Sequence, residues 1–331
     1  MQLLVQTRVT KHLNYQYSIP YMELKPIEDE RLREHLEAIS PDGLEIFVLE
    51  RGNYRGAVVN ASAMVNQMRV NHELGVLETL LLGHAYIAAA LLSCNLKGQD
   101  RIGVELTCDG PAEGLSVEVD ASAAVRGYLH RVPIAVIAPV ESFDPAPFIG
   151  DGVLAVTKYL EDAKQPFVGK TPLQYGSPAQ DLALYFTQSE QTPTAFNLSV
   201  QFDRDGRVVG AGGLMIQAFP GAESSTGANL DESVRHLESL GELFAGGDST
   251  EAVITREFAE YQPIVLGTRT PRFSCRCSKQ RFADFLAALP IDEIKDIRDN
   301  GSFPLRTTCH NCNTTYEFTR AEIENAYDMA R

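Results

Sequence analysis

The sequence predicts an α+β protein with an N-terminal α+β core domain, a helical linker and a small C-terminal zinc-binding domain. Three observations support this prediction. Strand-like alternation and hairpin turns are interspersed with helical patterns as far as residue 221. An acidic segment, 222–268, then carries two short helical patterns and no lysine. Two close cysteine pairs, Cys275 with Cys277 and Cys309 with Cys312, follow near the C-terminus.

Length and composition limit the class of protein. A chain of 331 residues, 44% of them hydrophobic, is globular and long enough for two or three domains. A formal charge of −15 argues against a nucleic-acid-binding protein, because binding phosphates needs a basic surface. No apolar signal segment follows Met1, and the most apolar stretch, Leu80–Leu92, is too short to span a bilayer. We therefore expect a cytoplasmic protein that binds neither nucleic acid nor membranes.

The first elements follow from local patterns. Residues 1–41 form an N-terminal extension, in which Pro26–Glu30 opens a charged helical stretch. The pattern alternates from Leu44 onwards, so we expect a strand with Leu44, Ile46 and Val48 on one face.

A long apolar helix is predicted next, from Glu73 to Cys94. Apolar side chains occur on nearly every side of this helix, which indicates that it is buried on most sides. A second helix is expected at 179–189. Together with the strands, these helices define the predicted core domain, 42–221.

Two hairpins are predicted within this core. In the first, residues 104–106 and 115–119 flank a turn at 108–111. In the second, residues 197–202 and 208–215 flank a turn that ends in Asp205-Gly206, where glycine supplies the positive φ. The glycine-rich run 208–213 resembles a nucleotide-binding loop, but no helix follows it, so we interpret it as part of the hairpin.

The linker, 222–268, has nine acidic and two basic residues. Asn229 and Glu232 have the spacing of a capping box, and an apolar stripe continues from Leu230 to Phe244. A second short helix is expected at about Thr250–Glu260. Helices this short are unstable alone in water, so both need a surface to pack on, and we expect this segment to detach first.

The cysteines of the C-terminal domain, 269–331, have the spacing of a metal site. In an extended strand residues i and i+2 point to the same side, so Cys275 and Cys277 can face one metal ion. Cys309 and Cys312 are spaced as a turn-borne pair, 31 residues further on. A set of four cysteines favours one tetrahedral Zn²⁺ per chain, the cofactor that we predict. His310 lies between two ligands but is not needed, because four thiolates complete the tetrahedron.

Two physical arguments connect this site with its surroundings. Five basic residues near the cysteines could keep the thiolates ionised, although ordinary surface charge is an equal alternative. They are Arg272, Arg276, Lys279, Arg281 and Arg306. A domain of about sixty residues has a marginal core, so a structural zinc worth roughly 10–16 kcal/mol would decide whether it folds. Oxidation of the thiolates would expel the zinc, unfold the domain and leave the linker helices without support.

The remaining cysteines and the overall pattern give no enzyme. We interpret Cys94 and Cys108 as small buried core residues. Glu190 is a polar cap or interface residue, and no Gly-x-Ser-x-Gly elbow is present. A zinc enzyme needs an open coordination position, which four cysteines close.

Motifs along most of the chain match a known family. The cysteine set is followed by Ser278–Arg281 and Leu289-Pro290. Further matching motifs are Ala88–Ser93, Asp109–Pro111, Arg126–Tyr128, Gly150–Thr157, Thr171–Leu173, Ser189–Thr194, Ala211–Gly213 and Pro220–Ala222. Over about residues 42–331 the chain resembles the redox-regulated chaperone family of the 33-kilodalton heat-shock protein. The extension 1–41 is longer than the family norm, and the linker differs from it around Glu257–Pro271.

This resemblance implies an ATP-independent holdase, which is a chaperone and not an enzyme. It implies that the reduced, zinc-bound form is inactive. It also implies that oxidants, usually with heat, form the disulfides Cys275–Cys277 and Cys309–Cys312. Zinc then leaves, the linker opens, and the protein dimerises and binds unfolding client proteins.

A constitutive zinc ribbon that binds nucleic acid or a protein partner is the competing interpretation. Such a protein would keep its metal under mild oxidation and would bind polyanions in a salt-dependent way. The acidic linker and the negative net charge argue against it.

Overall fold

The structure is a computed structural model that describes residues 22–136, 142–222, 227, 230, 232–234 and 236–330. These residues divide into two compact units. The larger unit comprises Met22–Cys275 and Thr308–Thr315, and the smaller unit comprises 276–307 and 316–330. Both contain helices and strands, and the prediction of an α+β fold is confirmed.

Two antiparallel sheets build the larger unit. Its strands are β1 Gly43–Leu49, β2 Tyr54–Asn60, β3 Arg101–Cys108, β4 Gly114–Asp120, β5 Ala124–Leu129, β6 Gly152–Tyr159, β7 Phe167–Pro172, β8 Thr194–Phe202, β9 Val208–Ala218, β10 Ile264–Arg269 and β11 Arg272–Phe273. One sheet has the order β10-β1-β2-β9-β8, and the other has the order β11-β5-β4-β3-β6-β7. The pair of β11 with β5 is the parallel one. Both predicted hairpins, β3-β4 and β8-β9, are confirmed.

The helices of the larger unit lie against these sheets. They are α1 Glu30–Ala38, α2 Ser62–His72, α3 Val76–Leu92, α4 Ala146–Ile149, α5 Pro178–Ser189, α6 Leu240–Ala245 and α7 Thr250–Phe258. Helix α3 contacts strands of both sheets, and fourteen of its seventeen residues are buried, as its all-round apolar pattern predicts.

The apolar helix is longer than the sequence suggested. With the 3-10 turn that follows α3, it runs from Val76 to Asn95, which is long and apolar enough to cross a membrane by length and composition. The expectation that this stretch is too short is therefore wrong. However, 83% of its most apolar window is buried inside the protein, as in the core helix of a globular fold.

The predicted face of β1 is wrong in part. Leu44, Phe47 and Leu49 are buried, whereas Ile46 and Val48 are only half-buried. The reason is a bulge between Ile46 and Phe47 in the pairing with β10. A bulge adds one residue to a strand and reverses the alternation of faces beyond it.

The glycines of β9 allow α6 to lie directly on the sheet. A Cβ atom on Gly210 would lie 2.0 Å from the carbonyl oxygen of Gly241, and one on Gly212 would lie 2.2 Å from the ring of Phe244. A Cβ on Gly213 would instead meet Ile87 of α3 at 2.6 Å. Because successive residues of a strand face opposite sides, α6 and α3 cover opposite faces of β9.

A buried apolar cluster joins the linker to this sheet. Nine of its fifteen buried residues come from the linker, and six come from β1, β2 and β9. The linker residues are Leu230, Val234, Leu240, Leu243, Phe244, Val253, Ile254, Phe258 and Tyr261. The sheet residues are Phe47, Leu49, Tyr54, Val58, Leu214 and Ile216. The predicted need of the linker helices for a surface is thus met by the sheet.

The linker departs from the predicted elements in three ways. Asn229 of the expected capping box lies outside the described residues, and the expected continuous helix is interrupted at 237–239. The hydroxyl of Ser239 accepts a hydrogen bond from Glu242 N at 3.3 Å and begins α6 as a new helix. After α7, β10 forms a strand that the sequence analysis did not predict.

The smaller unit has a small core. Its helices are α8 Lys279–Ala287, α9 Ile291–Asn300 and α10 Arg320–Ala330, and the hairpin strands are β12 Leu305–Thr308 and β13 Thr315–Phe318. Ile294 of α9 and Ile323 of α10 are fully buried, and the rings of Phe282 and Tyr316 lie 5.2 Å apart. Few other large apolar side chains of these helices are buried, so the unit has little apolar area to stabilise it.

We predict that Gly210→Ala weakens the packing of α6. The added methyl group has no room, so α6 must move away, at a cost of about 1–3 kcal/mol of unfolding free energy. Urea unfolding measures the loss, and limited proteolysis should cut faster near 240–245. Gly267→Ala in β10 is the matched control, because nothing lies within 4 Å of its added Cβ. Equal stability of the two variants would show that α6 does not pack as described.

Candidate metal centre

The four cysteines of the two predicted pairs converge. Their Sγ atoms all lie within 4.8 Å of one another, and all four residues are buried. Cys275 Sγ and Cys309 Sγ are 3.8 Å apart. The first pair does not lie in an extended strand as expected, because β11 ends at Phe273 and residues 274–277 have no regular structure.

Backbone hydrogen bonds shape the second pair. We call residues 308–315 the cysteine turn. Cys309 O accepts from Cys312 N at 3.3 Å and from Asn313 N at 2.7 Å, and Cys309 N donates to Thr314 O at 2.9 Å. Asn313 has a φ of 57°, a left-handed conformation that asparagine tolerates better than most residues. The turn therefore presents both of its sulfurs to one point.

The donor set fits a tetrahedral metal ion. With metal–sulfur bonds of about 2.3 Å, a tetrahedron of thiolates has sulfur–sulfur edges of about 3.8 Å. This is the separation of Cys275 Sγ from Cys309 Sγ. Four buried sulfurs at such distances are soft ligands that suit Zn²⁺ among the common ions. The cluster can therefore hold a metal ion without a large rearrangement.

Polar groups near the sulfurs complete the site. The hydroxyl of Tyr316 donates to Cys277 Sγ at 3.1 Å, and the hydroxyl oxygen of Thr314 lies 3.3 Å from Cys312 Sγ. A guanidinium nitrogen of Arg126 lies 3.9 Å from Cys275 Sγ. Donors of this kind stabilise negative charge on metal-bound sulfur.

The basic residues proposed from the sequence have other partners in three cases. Arg272 donates to the hydroxyl of Ser122 at 2.9 Å. Lys279 pairs with Glu322 at 2.5 Å, and Arg306 pairs with Glu317 at 2.9 Å.

Sequence reasoning missed Arg126 as a neighbour of the sulfurs. It lies in β5, about 150 residues before the cysteines, and also pairs with Glu118 at 3.2 Å. The signal that could have found it is its place in the motif Arg126–Tyr128.

Helix α2 also borders the cysteine turn. The buried Asn71 donates from Nδ2 to Cys312 O at 3.2 Å, and Asn313 Nδ2 donates to Asn71 O at 3.0 Å. Burial lowers the pKa of His72 to about 4, so its ring is neutral at pH 7. The ring of His310 packs edge-on against Tyr128 with 5.4 Å between centroids.

The other candidate residues lie away from the sulfur cluster. Cys94 and Cys108 are half-buried, less than the core position expected for them. Burial raises the pKa of Cys94 to about 11, which keeps that thiol protonated and unreactive at pH 7. Glu190 accepts hydrogen bonds from Tyr185 at 2.8 Å and from Lys158 at 2.6 Å. This side chain caps the end of α5 within the fold.

Fold and site together define an α+β protein with a linker packed on its core sheet and a buried four-thiol cluster suited to a metal ion. Comparison with known proteins agrees. Residues 42–319 match the sequence model of the family described as Hsp33 protein. The chain belongs to the Hsp33 family.

Relatives with the name 33 kDa chaperonin support the assignment. The protein from Desulforamulus reducens is 33% identical over 279 residues, which cover 84% of this chain and 94% of that protein. The protein from Ruminiclostridium cellulolyticum is 32% identical over 277 residues, covering 83% and 94% respectively. The crystal structure of the 33 kDa chaperonin from Thermotoga maritima has a TM-score of 0.79 at 30% identity. It covers 87% of this chain and 98% of its own.

We predict that Cys312→Ser abolishes tight metal binding. Serine replaces a soft thiolate with a poor ligand, so the fourth coordination position is lost. Elemental analysis of the purified protein should give about one metal ion per wild-type chain and well under one per variant chain. Cys94→Ser is the matched control and should keep its metal. Full metal content in Cys312→Ser would exclude this cluster as the binding site.

Proposed function

We propose that this protein is a redox-regulated, ATP-independent holdase chaperone without enzymatic activity. The observation that carries the proposal is the apolar cluster in which the linker covers one face of the five-stranded sheet. Nine buried linker residues pack there on helices of six and nine residues. Such helices do not persist alone in water, so a linker that loses this packing unfolds.

The switch is the four-thiol cluster, which we propose holds one Zn²⁺ in the reduced, inactive protein. Cys275, Cys277, Cys309 and Cys312 are the proposed ligands. Oxidation by a peroxide removes two electrons for each disulfide formed, giving Cys275–Cys277 and Cys309–Cys312, and the peroxide is reduced to water. Disulfide sulfur is a poor ligand for Zn²⁺, so the metal is released.

The chain offers a direct route from the sulfurs to the linker. Strand β10 is followed at once by β11, and Cys275 comes two residues after β11 ends. Strand β10 pairs with β1, which contributes Phe47 and Leu49 to the apolar cluster. Release at Cys275 therefore frees the C-terminal end of the segment that holds the linker in place.

Opening would uncover an apolar surface for clients. Loss of the linker exposes the sheet side of the cluster, including Phe47, Tyr54 and Ile216, together with the apolar stripes of the linker itself. Exposed apolar area of this kind binds other proteins with exposed apolar segments, and it also favours association with a second copy. The proposed partners are unfolding client proteins, and the activated form is proposed to be a homodimer.

The domain boundaries in this proposal are those expected from the sequence. The core domain is 42–221, the metastable linker is 222–268, the redox-switch domain is 269–331, and 1–41 is an N-terminal extension. The acidic net charge supports a protein that acts on proteins and not on nucleic acid. We propose a cytoplasmic location, where reduced thiols persist until oxidative stress.

The proposal predicts that metal release and chaperone activity appear together. Peroxide at raised temperature should release about one zinc ion per chain to a chromogenic chelator, and the treated protein should suppress aggregation of a chemically unfolded client without ATP. Reductant with added zinc should reverse both effects. Zinc release without protection of the client would leave a redox-sensitive staple and contradict the holdase assignment. Zinc that stays bound would support the constitutive ribbon.

The matched variants are a double and a quadruple substitution. Cys94→Ser with Cys108→Ser should respond to peroxide as the wild type does, because these residues lie outside the cluster. A variant with serine at all four cluster positions should lose the response to oxidant. If it still switches, the proposed redox site is wrong.

A further inference from the structure

The described part of the N-terminal extension is hydrogen-bonded along its length. We call residues 22–41 the strap. The strap precedes the region that matches the family, 42–319, so nothing in the family assignment accounts for it. Its contacts fall into two groups, one near the thiol cluster and one near the linker.

The first group reaches both cysteine-bearing segments. The thioether sulfur of Met22 accepts a hydrogen bond from the backbone N–H of Cys275 at 2.8 Å. The backbone N–H of Glu23 donates to the hydroxyl of Thr314, in the cysteine turn, at 3.1 Å. Two consecutive residues of the strap thus contact chain segments that lie on opposite sides of the 31-residue separation.

Asn71 of α2 connects the strap with the cysteine turn. Its side chain is fully buried. The Nδ2 group donates to Glu23 O at 2.7 Å and to Cys312 O at 3.2 Å. The Oδ1 atom accepts from Lys25 N at 3.3 Å and from Gln67 Nε2 at 2.7 Å. All four hydrogen-bonding positions of the amide are used, two of them by the strap.

Further contacts strengthen this end of the strap. Gln67 Nε2 also donates to Lys25 O at 2.9 Å, and Lys25 Nζ pairs with Glu73 at 2.6 Å. Because Gln67 and Asn71 are four residues apart on a helix, they lie on one face and hold the strap side by side. A buried amide that loses one partner keeps the full cost of its unmade hydrogen bond, so these contacts are lost together.

The second group reaches the linker. Asp29 pairs with Arg207 at 2.6 Å, and His35 Nε2 hydrogen-bonds with Val209 O at 2.7 Å beside the glycines that seat α6. The hydroxyl of Ser40 donates to Gly247 O at 2.8 Å. Gly247 follows α6 directly in the chain. One segment therefore contacts both parts that move in the proposed mechanism, the cysteine turn and the linker.

We propose that the strap is an autoinhibitory clamp, with Asn71 as its positioning residue, which holds the cysteine turn closed and sets the rate at which the metal centre opens. The cysteine turn cannot leave α2 without breaking the bonds of Asn71 to Cys312 O and of Glu23 to Thr314. The clamp raises the oxidative or thermal stress needed for opening. The inference rests on the proposed metal site, but it does not depend on chaperone activity.

The test compares strap variants in the full-length, metal-loaded chain. Gln67→Ala removes two bonds at the strap and leaves both direct bonds of the cysteine turn to Asn71 intact. Glu23→Pro removes the N–H that donates to Thr314. Leu24→Ala is the matched control, because the Leu24 side chain is 54% exposed. Asn71→Ala is the most severe variant, and Ser40→Ala tests the linker end.

Two readouts are measured without any client protein. The first is amide hydrogen exchange at 308–315 in the reduced, metal-loaded state. The second is the rate of metal release to a chromogenic chelator after peroxide. Each hydrogen bond lost should raise both rates by about fivefold, and Leu24→Ala should match the wild type. Ser40→Ala should raise exchange at 240–247.

The outcomes separate the clamp from the holdase. Wild-type rates in Gln67→Ala and Glu23→Pro would overturn the clamp, whatever the wild-type protein does to clients. Faster release in both variants supports the clamp even if the oxidised wild type protects no client, in which case only the holdase fails. If Asn71→Ala does not fold, the two milder variants decide the question.

Discussion

The convergence of four cysteine sulfurs within 4.8 Å is the constraint on which the rest of the structure depends. It requires two segments, 31 residues apart, to meet at one point, and each segment is anchored to the larger unit by main-chain hydrogen bonds. Ser274 N donates to Val125 O at 2.9 Å on one side, and Asn71 binds Cys312 O on the other. Thiolates this close repel one another unless a cation or protons neutralise them, so the geometry depends on the chemical state of the sulfurs.

The linker depends on this geometry because its own stability is low. Helices α6 and α7 have six and nine residues, and their order comes from packing on β1, β2 and β9. The glycines at 210 and 212 let α6 approach the sheet closely, which makes the packing tight. The same closeness makes the packing all-or-none, since a small displacement of a close-packed surface loses most of its dispersion contacts. A segment built in this way is suited to detach as a unit.

Much of the fold could be predicted from the sequence because local chemistry determines it. Asp205-Gly206 fixes the β8-β9 hairpin, and the cysteine spacing predicts the cluster. What could not be predicted depends on partners distant in sequence. The bulge at Ile46/Phe47 arises from pairing with β10, more than two hundred residues away. The roles of Arg126 and Asn71 likewise depend on contacts with Cys275 and Cys312, which no local pattern encodes.

The most direct test of the account measures whether opening at the sulfurs reaches the linker. Amide hydrogen exchange at 240–261 is compared in the reduced, zinc-loaded protein and after peroxide has released the zinc. The account predicts strong protection of α6 and α7 in the first state and its loss in the second, while α3 stays protected in both. Zinc release that leaves the linker as protected as before would contradict the coupling of the thiol cluster to the covered apolar surface.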